Sequence, residues 1–264
     1  MKKEAYKQYI REVDNWLHRG RRLLLETCLD LCLPNIKLEK KSLQILEIGA
    51  GYGKNIEVLS KFGVVDAIEI EPIAIEILKN NLSIRRLCSE KVPFSLDHTY
   101  DVICAMDFLE HVENDKQVFL WMVEHLNHNG ILFLTVPAYQ FLFSYHDVAV
   151  CHYRRYGLKK LIALNSYRLM LLKKGYFNSF LFPLAAVSRM LGRMRMNINE
   201  SQKKQSSTVH PYLDRLFFFI LKKEISFIRR YQLFPFGLTA FVLFRKCESI
   251  AAPGSYSATL HNEK

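Results

Sequence analysis

Residues 45–53 read ILEIGAGYG, an apolar run that ends in three closely spaced glycines. The run has the composition of a buried strand, and Gly49 and Gly51 allow the positive φ values and close backbone approach that a ligand-binding turn requires. A helical pattern follows, and its first turn would direct free N–H groups at a bound anion. A second apolar run, Val64–Ile70, contains Glu69, whose carboxylate can accept hydrogen bonds from ribose hydroxyls. Together these features predict the first half of a nucleotide-binding βαβ unit.

The alternation of apolar runs and helical patterns continues beyond this unit. The opening run predicts a first strand at Gln44–Gly49, and later runs predict strands at Ile84–Cys88, Tyr100–Met106 and Ile131–Val136. Segments with helical spacing or turn residues separate these runs. Such alternation predicts an α/β fold in which a parallel sheet has helices on both faces.

Composition places these elements in one large domain, or in one domain with an insertion. The chain has 264 residues, of which 50% are hydrophobic, enough for a sizeable core. Its six cysteines include no C-x-x-C pair, and the first residues, MKKE, lack the pattern of a secretory signal. These features predict a reduced, cytoplasmic setting.

Charge is distributed unevenly along the chain. Residues 1–150 carry a net charge of −4, whereas residues 151–246 hold 19 basic and 3 acidic residues, a net charge of +16. This asymmetry predicts that the C-terminal part meets an anionic surface, either phospholipid or nucleic acid. The aromatic run at 217–219 lies within an apolar segment and no RNA-binding motif is present, so we do not expect nucleic acid.

The order of these motifs is similar to that of one known superfamily. Glu47 precedes the glycines, and the resulting E-x-G-x-G-x-G pattern resembles motif I of the class I S-adenosylmethionine-dependent methyltransferases. The segments YDVICAMDFLEHV (100–112) and LNHNGILFLTVPA (126–138) resemble the fourth- and fifth-strand regions of the same superfamily. The resemblance implies a Rossmann-like seven-stranded sheet whose last strand is antiparallel. It also implies a sixth strand at 167–178, a seventh at Leu238–Arg245 and a helical insertion between them.

A narrower resemblance extends beyond the sheet. Four segments are similar to a bacterial group of uncharacterised class I methyltransferases: WLHRGRR (16–22), SYHDVAVCHYRRY (144–156), KGYFNSFLFP (174–183) and LFPFGLTAFVLFRK (233–246). That group is often associated with membrane lipid or surface-glycan synthesis. The resemblance therefore implies methyl transfer to a small or lipid-linked acceptor, surface-glycan precursors included, by a cytoplasmic protein peripheral on the inner membrane.

The resemblance to the superfamily also implies a cofactor, S-adenosylmethionine, and residues that hold it. Glu47 would orient the methionine end, Glu69 would hold the ribose and Ile70 would lie against the adenine. Members often place an Asp after the third strand, but this chain has Cys88 there and Ser89 follows it, so Ser89 is the expected substitute. The predicted cofactor-binding residues are Glu47, Gly49, Ala50, Gly51, Glu69, Ile70, Ser89 and Asp107. The donor is already activated, so we expect no metal.

A dense cluster of polar residues follows the fifth strand, where ligands bind in α/β folds. His146, Asp147 and His152 are candidate catalytic residues, because a histidine can act as a general base near neutral pH. The predicted substrate-binding residues are Arg154, Arg155 and Tyr156 in the same loop and Glu110 and His111 after the fourth strand. A structural interpretation stays open, in which Asp147 pairs with an arginine and the histidines bond to backbone groups.

These patterns divide the chain into four parts. We predict an N-terminal helical cap at 1–36, a methyltransferase domain at 37–176 and 233–247, a hydrophobic and basic helical insertion at 177–232, and a disordered tail at 248–264. The amphipathic segment His210–Gln232 of the insertion fits either a cap over the active site or an anchor at an anionic membrane surface. The alternatives in function are an RNA or protein methyltransferase and a non-catalytic membrane-associated protein with the cofactor fold. An NAD-dependent oxidoreductase is a further alternative, against which the G-x-G-x-G spacing and Glu47 argue.

Overall fold

A computed structural model describes residues 15–34, 42–165, 169–187, 210–231 and 234–247. The predicted tail at 248–264 lies outside this part of the chain, as do the first fourteen residues and residues 188–209 of the predicted insertion. Seven strands and seven α-helices of the described ranges are used below. The strands are β1 (Leu43–Ile48), β2 (Gly63–Ile68), β3 (Ile84–Cys88), β4 (Tyr100–Met106), β5 (Leu126–Pro137), β6 (Leu169–Phe177) and β7 (Thr239–Lys246).

The strands form one sheet in the order β3-β2-β1-β4-β5-β7-β6. Neighbouring strands from β3 to β5 pair in parallel, whereas β7 is antiparallel to both β5 and β6. This arrangement confirms the predicted fold class. Because β6 runs in the same direction as β1–β5, the ends of six strands meet at one side of the sheet, which we call the carboxyl edge.

The helices are α1 (Trp16–Cys32), α2 (Ile56–Leu59), α3 (Pro72–Leu78), α4 (Asp115–Glu124), α5 (Tyr145–Ala149), α6 (Leu158–Ile162) and α7 (Pro211–Tyr231). The buried side chains of α1, α2, α3 and α7 share one core cluster with one face of the sheet. Those of α4 and α6 join a second cluster on the opposite face. Helices therefore cover both faces, as predicted. No helix in the described ranges is both long and apolar enough to cross a bilayer.

Helix α7 of the predicted insertion packs directly on α1. The Asp214 carboxylate accepts a hydrogen bond from the Trp16 backbone N–H at 2.7 Å and pairs with the Arg19 guanidinium. The rings of Trp16 and Phe217 meet edge to face, with centroids 5.2 Å apart. A Cβ added at Gly20 would lie 2.4 Å from the Leu221 side chain, so the two helices are in close contact. The division into four domains stays a prediction, although α1 and α7 share a core with the sheet.

Candidate active site

The glycine turn after β1 leaves backbone open at the carboxyl edge. Gly49, Gly51 and Gly53 have φ values of +73°, +54° and +74°, which L side chains rarely adopt. A Cβ at Gly49 would lie 2.8 Å from the Phe108 ring, whereas one at Gly51 would have nothing within 4 Å. The helix that follows the turn is only Ile56–Leu59, shorter than the sequence pattern suggested. The open backbone at Gly51, rather than a long helix dipole, is therefore the feature that suits a ligand.

Glu69 holds this turn in place. Its Oε2 accepts a hydrogen bond from the Gly51 backbone N–H at 2.6 Å, and its Oε1 accepts from the N–H groups of Ile70 and Glu71 at 2.8 and 2.9 Å. A carboxylate has about four lone-pair positions, so these three bonds leave room for another donor. The next side chain, Ile70, is 54% exposed, and Ser89 is exposed just beyond β3. An apolar side chain exposed at this position suits the face of a planar base.

Glu47 at the end of β1 is a buried acid with one oxygen unused. Its Oε1 accepts a hydrogen bond from Asn55 Nδ2 at 2.7 Å, and its Oε2 has no hydrogen-bond partner in the structure. Burial raises the pKa of Glu47 to about 8; the nearby charge of Glu69 raises it too, and the Asn55 bond acts in the opposite direction. A cationic donor placed against Oε2 would satisfy this atom and favour the ionised form.

Asp107 follows β4 with a φ of 50° and connects the edge to the N-terminal helix. Its Oδ2 lies 3.0 Å from the Arg21 guanidinium of α1, and its Oδ1 is buried without a hydrogen-bond partner. Among the described side chains, the acids and amides with such unpartnered buried oxygens are Glu47, Asp107, Glu110 and Asn178. All four lie at or just beyond the carboxyl end of β1, β4 or β6. Their unpartnered buried oxygens mark this edge as the candidate ligand site.

The loop after β5 positions one histidine through a buried acid. Asp147 is fully buried, and its Oδ1 lies 2.9 Å from His152 Nδ1 and 2.7 Å from Arg155 Nε. Burial alone would raise the pKa of Asp147, but hydrogen bonds from His152 and Arg155 and the Arg155 charge hold it well below its usual range. An ionised carboxylate beside Nδ1 requires a proton on that nitrogen. In neutral His152 the other nitrogen, Nε2, is therefore a proton acceptor.

Glu110 and His111 lie next to His152, although α4 and β5 lie between them in the sequence. His152 Nε2 is 4.0 Å from Glu110 Oε1, and the rings of His111 and His152 meet edge to face at 4.6 Å. Burial raises the pKa of Glu110 well above its usual range, and the charge of Asp107 adds to this effect. Burial, together with His152, lowers the pKa of His111. Both shifts favour the uncharged forms, the carboxylic acid of Glu110 and the neutral imidazole of His111.

Glu110, His111 and His152 also have ligand atoms close enough together to bind one metal ion. One atom from each of Glu110, His111 and His152 lies within 4.8 Å of the others. Asp147, which lies beside this trio, is occupied by His152 and Arg155. The expectation that the site works without a metal stays a prediction.

Arg155 and Tyr156, predicted to bind substrate, have structural roles here. Arg155 is 3% exposed and donates to Asp147 and to the Ala138 carbonyl. Tyr156 is fully buried, and its hydroxyl donates to Asp115 Oδ2 at 2.8 Å. These contacts match the structural alternative for Asp147, and contact of either side chain with substrate stays a prediction. Tyr156 is buried because its backbone forms a β-bridge with Ala138, the residue that follows β5.

Arg154 and His146 complete the predicted set. Arg154 NH1 lies 3.0 Å from Asp115 Oδ2, and NH2 donates to the Glu113 carbonyl, but the side chain keeps 22% of its surface exposed. It therefore stays a candidate for contact with an anionic substrate group. His146 lies in α5, but its side chain is outside the described part of the structure, so its catalytic role stays a prediction.

Asn178 is a buried polar residue just beyond β6 that was not predicted from the sequence. It is 1% exposed, has a φ of 63°, and neither side-chain nitrogen nor oxygen has a hydrogen-bond partner. Its neighbour Ser179 donates its backbone N–H to Glu224 of α7. The only signal was its place at a strand end, because Asn tolerates positive φ better than other non-glycine residues.

The buried ion pair in this loop gives a stability prediction. We expect Arg155→Met to lower the free energy of unfolding by about 3 kcal/mol, because it leaves the Asp147 carboxylate buried without its cation. Denaturant titration followed by circular dichroism measures this. Arg154→Met is the matched control, since its partly exposed pair should contribute about 1 kcal/mol or less. Equal losses in the two variants would contradict the role assigned to Arg155.

Comparison with known proteins gives the family. Residues 16–180 match the Methyltransferase domain family. A ubiquinone biosynthesis O-methyltransferase from Rickettsia typhi is 30% identical over 151 residues, which cover 50% of this chain and 60% of that protein. The mitochondrial ubiquinone biosynthesis O-methyltransferase of Schizosaccharomyces pombe is 31% identical over 101 residues, 35% of this chain and 37% of that protein. The chain thus spans less than two thirds of the length of these curated relatives.

Solved structures share the fold. The N-methyltransferase NodS from Bradyrhizobium japonicum, in complex with S-adenosyl-L-homocysteine, aligns with a TM-score of 0.52 and 15% identity over 89% of this chain and 90% of that one. The plantazolicin methyltransferase BpumL, also bound to that product, gives a TM-score of 0.55 and 14% identity over 92% and 90%. These solved structures show the fold, and the family match confirms the predicted methyltransferase class. Because the family match covers more than half of the sequence, the chain belongs to the Methyltransferase domain family.

Proposed function

We propose that this enzyme methylates a hydroxyl group of a small or lipid-linked acceptor at the cytoplasmic face of a membrane, surface-glycan precursors included. The observation that carries the proposal is His152, which the buried Asp147 carboxylate orients at 2.9 Å beside the carboxyl edge. A hydroxyl needs a base to become a nucleophile, whereas many amines and carboxylates do not. The Rickettsia and Schizosaccharomyces relatives are likewise named O-methyltransferases.

The residues at the edge fit the cofactor. The unused Glu47 Oε2 can accept from a cationic amino group, and the open backbone at Gly51 leaves space for a ligand. Glu69 keeps capacity for ribose, and exposed Ile70 can lie against adenine. Ala50, Ser89 and Asp107 complete the proposed cofactor-binding set. When bound, S-adenosylmethionine supplies an electrophilic methyl group that needs no further activation.

The remaining residues act on the acceptor. His152 Nε2 takes the proton of the acceptor hydroxyl, and Asp147 keeps the ring in the tautomer that can do so. His111 and Glu110 line the same region, and protonated Glu110 can donate a hydrogen bond to the acceptor. Arg154 offers a partly exposed guanidinium for an anionic group of the substrate. Arg155 and Tyr156 hold this loop, and His146 keeps its proposed catalytic place in α5.

The positive charge of the C-terminal part of the chain supports the proposed membrane location. Residues 151–246 have a net charge of +16, and α7 within this region carries Arg215, Lys222, Lys223, Arg229 and Arg230 on exposed positions. A positively charged surface attracts anionic phospholipids within about 10 Å at physiological ionic strength. An RNA or protein acceptor would exploit the same charge, and the experiment below separates these acceptors.

The function is tested by transfer of a labelled methyl group from S-adenosylmethionine into separated lipid, glycan, RNA and protein extracts. We expect label in the lipid or glycan fraction, in a form that resists alkali, because methyl ethers survive conditions that cleave methyl esters. Label in RNA or protein would establish the alternative acceptor. No label in any fraction, from a protein that binds the cofactor, would contradict the enzymatic proposal and support a non-catalytic protein.

Glu47 gives a pH-dependent prediction for cofactor binding. Its pKa of about 8 leaves it protonated at pH 7, so a cationic group bound against Oε2 should ionise it and release about one proton. Above a pH of about 9 the acid is already ionised, and the release should disappear. Calorimetric titrations in buffers with different ionisation enthalpies measure the proton count. Glu47→Gln should show no release at either pH; an unchanged proton count in that variant would contradict the assignment.

A further inference from the structure

Helix α7 is apolar on two opposite faces. The inner face buries Leu221, Ile225 and Ile228 in the core shared with α1 and the sheet. The opposite face carries Tyr212, Leu216, Phe219, Lys223, Phe227 and Arg230, which we call the outer stripe. These residues recur at intervals of three and four, so they lie along one side of the helix.

The outer stripe is exposed although most of it is hydrophobic. Tyr212 is 75% exposed, Leu216 50%, Phe219 56% and Phe227 39%. A helix that buries one apolar face and exposes another is unusual for a surface helix, whose outer side is normally charged or polar. Clustered exposed apolar residues of this kind mark an interaction surface.

The apolar surface continues beyond the helix. The rings of Phe227 and Phe234 have centroids 4.7 Å apart, and those of Phe234 and Phe180 are 5.3 Å apart. Phe180 follows β6 and is itself 56% exposed, as are Leu184 at 65% and Val187 at 55%. Because β6 ends at the carboxyl edge, the exposed surface extends from α7 to the side of the active site.

The charge on this surface is positive. Both acids of α7 face inward: Asp214 pairs with Arg19, and the fully buried Glu224 accepts from the Ser179 backbone N–H. The five basic residues of the helix are all exposed. Lys223 also lies 5.4 Å from the centre of the Phe219 ring, which places cation and aromatic side by side on the stripe.

We propose that the outer stripe of α7 docks on an anionic phospholipid bilayer, with its aromatic side chains in the headgroup layer. Basic residues beside aromatic and leucine side chains are the composition of helices that lie in a membrane interface. A second copy of the chain fits less well, because a two-fold contact through the stripe would oppose its own positive charges. A nucleic acid would leave Leu216, Leu184 and Val187 without suitable contacts.

Docking of α7 on a bilayer does not depend on the proposed function. Its consequence, delivery of a lipid-linked acceptor to the active site, rests on that function. The surface reaches the active-site side through Phe182, whose ring is 5.6 Å from that of Tyr139, directly after β5. A bilayer docked on the stripe would therefore present a lipid-linked acceptor to the carboxyl edge. Docking itself requires no turnover, so it can be tested independently of methyl transfer.

The test is sedimentation of the full chain with phosphatidylcholine vesicles that contain or lack phosphatidylglycerol. We expect binding to the anionic vesicles only, and a loss of about tenfold or more in Leu216→Ser/Phe219→Ser. Lys222→Gln/Lys223→Gln should weaken binding and reduce its dependence on salt. Leu82→Ser/Leu120→Ser, which removes exposed leucines elsewhere, is the matched control and should bind like wild type.

Several results would overturn the proposal. These are equal binding to neutral and anionic vesicles, unchanged binding of the folded stripe variant, or sedimentation equilibrium showing that the stripe variant dissociates a dimer without affecting vesicle binding. Circular dichroism and thermal unfolding establish that each variant is folded. Absence of vesicle binding in an enzyme that still transfers label would overturn docking and leave the proposed methyl transfer intact. Vesicle binding without label transfer would support docking and contradict the proposed methyl transfer.

Discussion

Gly51→Leu should abolish measurable binding of S-adenosylmethionine while the protein stays folded. A Cβ at Gly51 meets nothing within 4 Å, so a larger side chain would extend into the space that we assign to the ligand. The φ of +54° adds strain of about 1–2 kcal/mol, which a domain of this size can tolerate. We expect affinity to fall by at least about a hundredfold, a change of about 2.7 kcal/mol in binding free energy.

Two controls separate blockage from strain. Gly51→Ala has the same backbone strain with a much smaller side chain, and should retain a larger share of binding. Gly157→Leu adds the same side chain at another position where a Cβ meets nothing within 4 Å, outside the glycine turn, and should bind like wild type. Isothermal titration calorimetry measures all three variants. Wild-type affinity in folded Gly51→Leu would contradict the placement of the cofactor.

His152→Gln should reduce kcat by about a hundredfold to ten-thousandfold with little change in cofactor affinity, because it removes the proposed base and leaves the glycine turn intact. Asp147→Asn should also lower kcat, since an amide no longer fixes the histidine tautomer. Raising the pH should restore part of the lost rate, as the acceptor hydroxyl ionises without help. His98→Gln, at an exposed position away from the edge, is the control. An unchanged kcat in His152→Gln would exclude the histidine as base.

Much of the fold follows from local sequence patterns. Each predicted strand is present within a few residues, because buried parallel strands are short apolar runs flanked by turn residues. The largest difference is β5, which begins at Leu126 rather than Ile131. Asn-Gly is typical of a turn, but the strand continues through Asn129-Gly130: Asn129 adopts a φ of 60° and the pairing with β4 shifts register there.

The site was less predictable because burial depends on tertiary contacts. The glycine turn and its acids are adjacent in sequence to strand ends, so their position at the edge could be inferred. From the sequence alone, Arg155 is expected to be an exposed arginine that binds phosphate. Only the fold shows that it lies against Asp147. Asn178 lies in the KGYFNSFLFP segment, but nothing in that pattern predicts a buried amide without hydrogen-bond partners. The second apolar face of α7 was hidden for the same reason: periodicity identifies apolar faces but not which of them meets the core.

Calorimetric titration of the wild-type chain with S-adenosylmethionine tests the central claim most directly. We predict one site per chain, no binding of NAD under the same conditions, and loss of the signal in Gly51→Leu. A folded protein that binds NAD at this site, or that binds S-adenosylmethionine equally well in wild type and Gly51→Leu, would contradict the account.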